Sequence, residues 1–188
     1  MGEPMQYRGV NHVALVSRDM AETVDFYTRV LEMPLVRTID LPDGRGQHFF
    51  FDCGGGDTIA FFWFPNAPAA APGVASMHPD YQKVGSQTAH ASMNHLAISV
   101  PLEKFDEYAE RLRSKGVALR VLNHEDGDKH SNEELTDRAW IRSMYFRDPN
   151  GIHMELAALV RPFRPSDVAH DPVNAKGERV PLKQTETA

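Results

Sequence analysis

The chain has 188 residues, 41% of them apolar and 24% charged, enough for one sizeable core or two small packed modules. Its net charge of −6 argues against a general polyanion binder, and no apolar run approaches the roughly 18–20 residues needed to cross a bilayer. Met1-Gly2-Glu3-Pro4 lacks the basic flank and apolar stretch of a secretory leader, and the single Cys53 rules out an internal disulfide. A cytoplasmic protein with no nucleic-acid or membrane partner is expected.

The first module, 8–64, reads strand, helix, then three strands. Val10 to Val16 alternates around His12 as a half-buried strand does. Asp19 is placed to cap a helix over 20–32, with Glu22 completing an acidic capping box and Val24, Tyr27, Val30 and Leu31 on one face. Leu35–Ile39, Gln47–Cys53 and Thr58–Phe64 read as strands, the last two joined by Gly54-Gly55-Gly56-Asp57.

The second module, 93–160, repeats this order. Asn94–Val100 is a strand and 102–115 a helix stopped by Gly116; Ala118–Leu122, Trp140–Arg147 and Ile152–Leu159 then read as strands. Asp148-Pro149-Asn150-Gly151 makes the turn before the last of them. The connection 65–92, with Pro65, Pro68, Pro72 and Pro79, and the polar stretch 123–138 are expected to border a pocket. The polar extension 161–188 is expected to be loose at its end. Residues 1–160 thus form one α+β domain of two tandem βαβββ modules.

Two strings nearly repeat: Asn11-His12-Val13-Ala14-Leu15 and Asn94-His95-Leu96-Ala97-Ile98, their histidines 83 positions apart. A lone acid, Glu155, stands in the last strand of the second copy. Two imidazoles and a carboxylate are the ligands of a facial triad, which holds Fe(II) or a similar divalent ion with positions left open. His12, His95 and Glu155 are therefore the expected metal ligands.

On these residues the chain resembles the vicinal oxygen chelate superfamily, which includes glyoxalase I, fosfomycin-resistance enzymes, bleomycin-binding proteins and type I extradiol dioxygenases. The most specific stretch runs from Met144 to Glu155, where Tyr145-Phe146-Arg147-Asp148-Pro149-Asn150-Gly151 precedes the acid as in the extradiol signature. The resemblance implies a cupped sheet around one metal, most simply Fe(II), with Mn(II), Zn(II) or Ni(II) as alternatives. It also implies a homodimer. Phe61 stands ten residues after Phe51, as Glu155 does after Tyr145, so a phenyl ring is expected where glyoxalase I has a fourth ligand.

The leading expectation is an extradiol dioxygenase that opens a catechol-like ring with O₂. Tyr145 would orient a substrate oxygen, and His153, sharing a strand face with Glu155, would act as acid or base. Phe51, Phe61, Trp63 and His48 would line the pocket for an aromatic substrate. An isomerase, lyase or thiol transferase of the same superfamily is the second expectation, and a non-enzymatic small-molecule binder the third. His78, His90, His124 and His130 are further histidines within reach if the long segments fold over the site.

Overall fold

The computed structural model describes residues 5–127 and 130–182. The expected loose end of the extension, from 183 onward, lies outside the described residues, as do residues 1–4. Two βαβββ modules form as the sequence indicates. The first comprises β1 (His12–Ser17), α1 (Met20–Asp25), β2 (Leu35–Leu41), β3 (Gly46–Gly54) and β4 (Asp57–Trp63), in sheet order β1-β4-β3-β2 with β1 parallel to β4. The connection contributes the short α2 (Tyr81–Val84). The second module comprises β5 (Leu96–Ser99), α3 (Phe105–Ser114), β6 (Arg120–Glu125), β7 (Ser131–Asn132), β8 (Ala139–Arg147) and β9 (His153–Leu159). Its sheet order is β5-β9-β8-β6-β7, the same topology with β7 added at the edge from the polar stretch. No helix among the described residues is long and apolar enough to cross a membrane.

Local chemistry explains the helix boundaries. Asp19 Oδ1 accepts from the Glu22 backbone N–H at 3.0 Å, capping α1. The Glu22 side chain turns outward to Arg18 at 2.7 Å, so the expected capping box is only half formed. After six residues α1 widens into a π-helical turn, Phe26–Val30, closed by the Leu31 N–H donating to the Phe26 carbonyl. That turn places Tyr27 fully inside. Gly116 ends α3 at φ +84, where the Val117 N–H reaches back to the Leu112 carbonyl. At Gly46 a Cβ would run into the Trp63 carbonyl oxygen, so β3 pairs closely with β4 only because that position carries no side chain.

One core serves both modules. Tyr27, Phe51, Phe61, Phe105, Met144 and Met154 are fully buried in a single cluster. The Tyr27 ring lies 5.1 Å from Phe51 and 5.0 Å from Phe61, while its hydroxyl reaches Met154 Sδ at 3.6 Å and Asp148 Oδ2 at 3.4 Å. Burial and the Asp148 carboxylate raise the Tyr27 phenol well above its ordinary range. Since side chains alternate along a strand, burying Met154, Leu156 and Ala158 turns His153 and Glu155 to the other face of β9. Packing Leu15 on the core likewise turns His12 and Ala14 outward. Both sheets thus give their inner faces to the shared core and present separate outer faces.

Candidate functional site

The two Asn-His strings do the same local work. Asn11 Oδ1 holds His12 Nδ1 at 2.8 Å, and Asn94 Oδ1 holds His95 Nδ1 at 3.0 Å, leaving each Nε2 pointing onward. The partners at Nε2 differ. His95 Nε2 meets Glu155 Oε2 at 3.0 Å, across the parallel β5–β9 pair. With Asn94 accepting at one nitrogen and Glu155 at the other, both ring nitrogens of His95 donate, the bonding of an imidazolium. His12 has Phe50 as its ring neighbour, at 5.9 Å.

Glu155 is held from two sides. Ser143 Oγ, on β8, donates to Oε1 at 2.5 Å while His95 donates to Oε2. Burial works to raise this carboxyl, but the bonds from His95 and Ser143 outweigh it, so its pKa falls below the ordinary value. His95 shifts the opposite way, raised chiefly by the Glu155 bond against the cost of burial. The two shifts describe one ion pair.

Tyr145 is directly opposite Glu155 in the antiparallel β8–β9 ladder. Its hydroxyl meets His124 Nε2, on β6, at 2.9 Å. Burial pushes the phenol up to about 12, so it remains protonated and can donate at neutral pH. His153, opposite Arg147, stacks on Tyr145 with centroids 5.4 Å apart and planes 7° from parallel. Burial, followed by the charges of Arg147 and His95, brings its imidazole down to about 4, and its buried Nδ1 has no hydrogen-bond partner. The outer face of the second sheet therefore carries an acid–base pair, a positioned serine, a phenol and an uncharged imidazole.

The expected divalent metal, whether Fe(II), Mn(II), Zn(II) or Ni(II), is not supported: among the described residues no group of three or more His, Cys, Asp or Glu side chains is arranged to hold a metal ion. The reason is the packing of the modules. His12 and the His95–Glu155 pair lie on outer faces of different sheets, with the common core between them. A continuous cup around a metal is not what the two sheets make within one chain.

Register also corrects the fourth position. His12 and His95 are equivalent, and β1 pairs with β4 as Val13↔Ile59 and Ala14↔Ala60, where β5 pairs with β9 as Leu96↔Met154 and Ala97↔Glu155. The counterpart of Glu155 is thus Ala60, and that of Tyr145 is Phe50, which faces Ala60 across β3–β4. The ten-residue offset holds, displaced by one residue, and one residue exchanges the two faces of a strand. Phe51 and Phe61 accordingly point into the core, each 0% exposed. Trp63 shares their phase and packs half-buried against the core.

His48 is on the outer face of the first sheet. Its ring stacks on Phe62 at 3.6 Å and lies 4.3 Å from Phe50. Burial and the neighbouring His12 lower its pKa. Cys53 Sγ donates to the Asp57 carbonyl at 3.2 Å, and burial pushes its thiol up, consistent with a small packing residue.

Sequence reasoning did not single out Ser143, Arg147 or Tyr81. Ser143 precedes Tyr145 by two residues in one strand, which is the signal that would have found it. Tyr81, on α2, reaches the site from the connection, its ring 5.2 Å from that of His153. The connection therefore borders the site, as expected. His78 contributes its carbonyl, which accepts from Arg147 Nη2 at 2.8 Å.

Comparison with known proteins bears on both fold and family. The model of the Glyoxalase/Bleomycin resistance protein/Dioxygenase superfamily matches residues 9–156. The Bacillus subtilis (strain 168) protein named "Putative ring-cleaving dioxygenase MhqE" is 29% identical over 117 residues, 61% of this chain and 34% of MhqE. The chain thus spans about a third of the length of that curated relative. Among solved structures, the glyoxylase/bleomycin resistance protein/dioxygenase domain from Frankia sp. EAN1pec superposes with a TM-score of 0.59 at 19% identity, covering 84% of this chain and 96% of that one. A mutant of the genomically encoded fosfomycin resistance protein FosX from Listeria monocytogenes, complexed with Mn(II) and 1S,2S-dihydroxypropylphosphonic acid, gives 0.51 at 19% identity, covering 80% and 92%. At these identities the two structures show a shared fold.

Proposed function

We propose, for a chain that belongs to the Glyoxalase/Bleomycin resistance protein/Dioxygenase superfamily, an isomerase- or lyase-type reaction on a small molecule bound at the outer face of the second sheet. The observation that carries this reading is the array of His95, Glu155 and Ser143 with Tyr145 alongside. Proton transfer needs a group that gives a proton and one that takes it, held near each other and near the substrate. His95, charged by its bond to Glu155, is the donor. Glu155, with Ser143 fixing its other oxygen, is the acceptor once His95 has given up its proton. Tyr145 donates a hydrogen bond to the oxygen on which charge develops. His153 is the uncharged wall beside it.

A ring-opening dioxygenase on an aromatic diol is the second reading, favoured by the likeness to MhqE and by the Tyr145 motif. One experiment separates the two. Candidate hydroxy ketones, hydroxy acids, epoxides and catechols are incubated in D₂O, with NMR and an oxygen electrode recording together. Deuterium entering a carbon position with the wild-type chain and not with Glu155→Gln supports the first reading. Oxygen consumption with a catechol and no such exchange overturns it in favour of the second. 1S,2S-Dihydroxypropylphosphonic acid, the compound in the FosX complex, belongs in the panel.

The same reading includes a homodimer. His12 is exposed on an outer face shared with the aromatic rings of Phe50, Phe62 and His48, and a second copy laid across it would bring His12 to a site it does not reach in its own chain. On this reading His12 of the second copy completes the site, so His12→Ala and His95→Ala are each expected to lose activity. Their mixture is expected to regain part of it, because each mixed dimer holds one intact site. His12→Ala with full turnover overturns the shared site.

A further inference from the structure

We propose that Arg147 anchors an oxyanion on the substrate, a carboxylate or a phosphate-type group; the assignment rests on the reading that the outer face of the second sheet is the active one. Arg147 pairs in register with His153, next along the strand face from the Tyr145–Glu155 pair. Its guanidinium is fixed in orientation by two neutral acceptors, the Gly151 carbonyl at 2.7 Å and the His78 carbonyl at 2.8 Å. Among the described residues it makes no ion pair. Arg142, earlier on the same strand, has Asp106 at 2.8 Å, and Arg161 has both Asp126 and Asp167.

A partly buried cation without a direct ion-pair partner is costly, and a ligand that supplies one recovers part of that cost. The guanidinium has five N–H donors in a rigid fork, and the two carbonyls occupy two of them. The remainder suit bidentate recognition of an oxyanion. Arg147 lines a hollow of about 670 Å³ together with Tyr81, Lys115, Arg120, Tyr145 and His153. Among the described residues Arg120 pairs there with the exposed Glu133 alone, at 3.3 Å, whereas Lys115 is spent on Glu32. The carboxylates at the hollow are also committed. Glu22 pairs with Arg18, and Asp148 accepts from the Asn150 and Ile152 N–H groups of its own turn. Among the described residues of the hollow, Asp148 attracts Arg147 electrostatically but forms no ion pair with it.

Spacing then constrains the substrate. Alternate residues on one strand face are about 7 Å apart, so an anion on Arg147 sits about that far from the atoms handled by Tyr145 and Glu155. The substrate is a small acid whose charged group is remote from the reacting bond. A purely structural role, stitching the connection to the β8–β9 turn through two carbonyls, is the competing account.

The test is titration of inorganic phosphate, and separately benzoate, into the wild-type chain, Arg147→Gln, Arg147→Lys and the control Arg113→Gln, followed by calorimetry and backbone NMR. Binding of one anion per chain is expected, weakened at least ten-fold in Arg147→Gln, partly recovered in Arg147→Lys and unchanged in Arg113→Gln. Phosphate alone or benzoate alone behaving in this way supports the subsite and identifies the anion type. Wild-type protein that binds neither anion, or Arg147→Gln that binds as wild type, overturns it. Anion binding is read without turnover, so a chain that binds phosphate through Arg147 yet exchanges no proton supports the subsite while overturning the proposed reaction.

Discussion

His95 Nε2 lies 3.0 Å from Glu155 Oε2, and Ser143 Oγ closes on the other carboxylate oxygen at 2.5 Å. The second sheet thus holds a carboxylate whose two oxygens are both positioned by the chain. Replacing Glu155 with Gln keeps the shape and removes the base. Turnover is expected to fall by about 10²- to 10⁴-fold, and the urea midpoint to fall at neutral pH because the buried pair with His95 loses its carboxylate. Steady-state kinetics beside equilibrium unfolding checks this; retained turnover would remove Glu155 from the chemistry.

Tyr145→Phe deletes one hydroxyl and leaves His124 Nε2 without its 2.9 Å partner. A hydrogen bond to developing charge contributes on the order of 1.5–3 kcal/mol, so kcat should drop roughly 10- to 100-fold with KM nearly constant. A change confined to KM would make Tyr145 a binding residue instead.

The pair of outer-face strands was legible from the sequence because it needs only local information. The Asn-His repeat, the turn Asp148-Pro149-Asn150-Gly151 and the strand phase after it place Tyr145 and Glu155 correctly on strands, while His95, expected inside a strand over Asn94–Val100, stands directly before β5. The pocket wall was less legible. Phe51 and Phe61 were expected to line it and instead fill the core, because a hairpin's ten-residue offset does not say which face is inward. That phase depends on how β4 registers against β1, and the register there makes Ala60 the counterpart of Glu155. Which faces of the two sheets meet depends on packing through Tyr27, which no local pattern encodes. The metal expectation failed at that same level, since His12 and His95 match in sequence and lie on different outer faces.

Phe61→Ala tests the shared core. Removing a fully buried ring that contacts Tyr27 at 5.0 Å should cost about 3–5 kcal/mol. Both modules should unfold together in one transition, because the cluster spans them. Two separate transitions by circular dichroism and fluorescence would show that the modules hold independently.

His153 gives the stability a pH dependence of known sign. Burial, with Arg147 and His95 nearby, holds its folded pKa at about 4, whereas the unfolded chain protonates near 6.5. Between these values the unfolded state binds more protons, so the stability from the neutral ring is complete above about 6.5 and is lost as pH falls toward 4. From pH 7 to pH 4 the wild-type chain should lose roughly 1–3 kcal/mol more than His153→Gln, the lower figure allowing for solvent screening at the open side of the hollow. Urea unfolding at the two pH values measures it, and parallel losses would contradict the buried neutral ring.

The central claim is that His95 and Glu155 form one proton-holding unit, and ¹⁵N-detected titration of the His95 ring tests it most directly. In the wild-type chain both ring nitrogens should carry protons, with a midpoint above the ordinary 6.5 of histidine. In Glu155→Gln that midpoint should fall, because burial then acts without the carboxylate. A His95 midpoint that is the same in both proteins would contradict the claim.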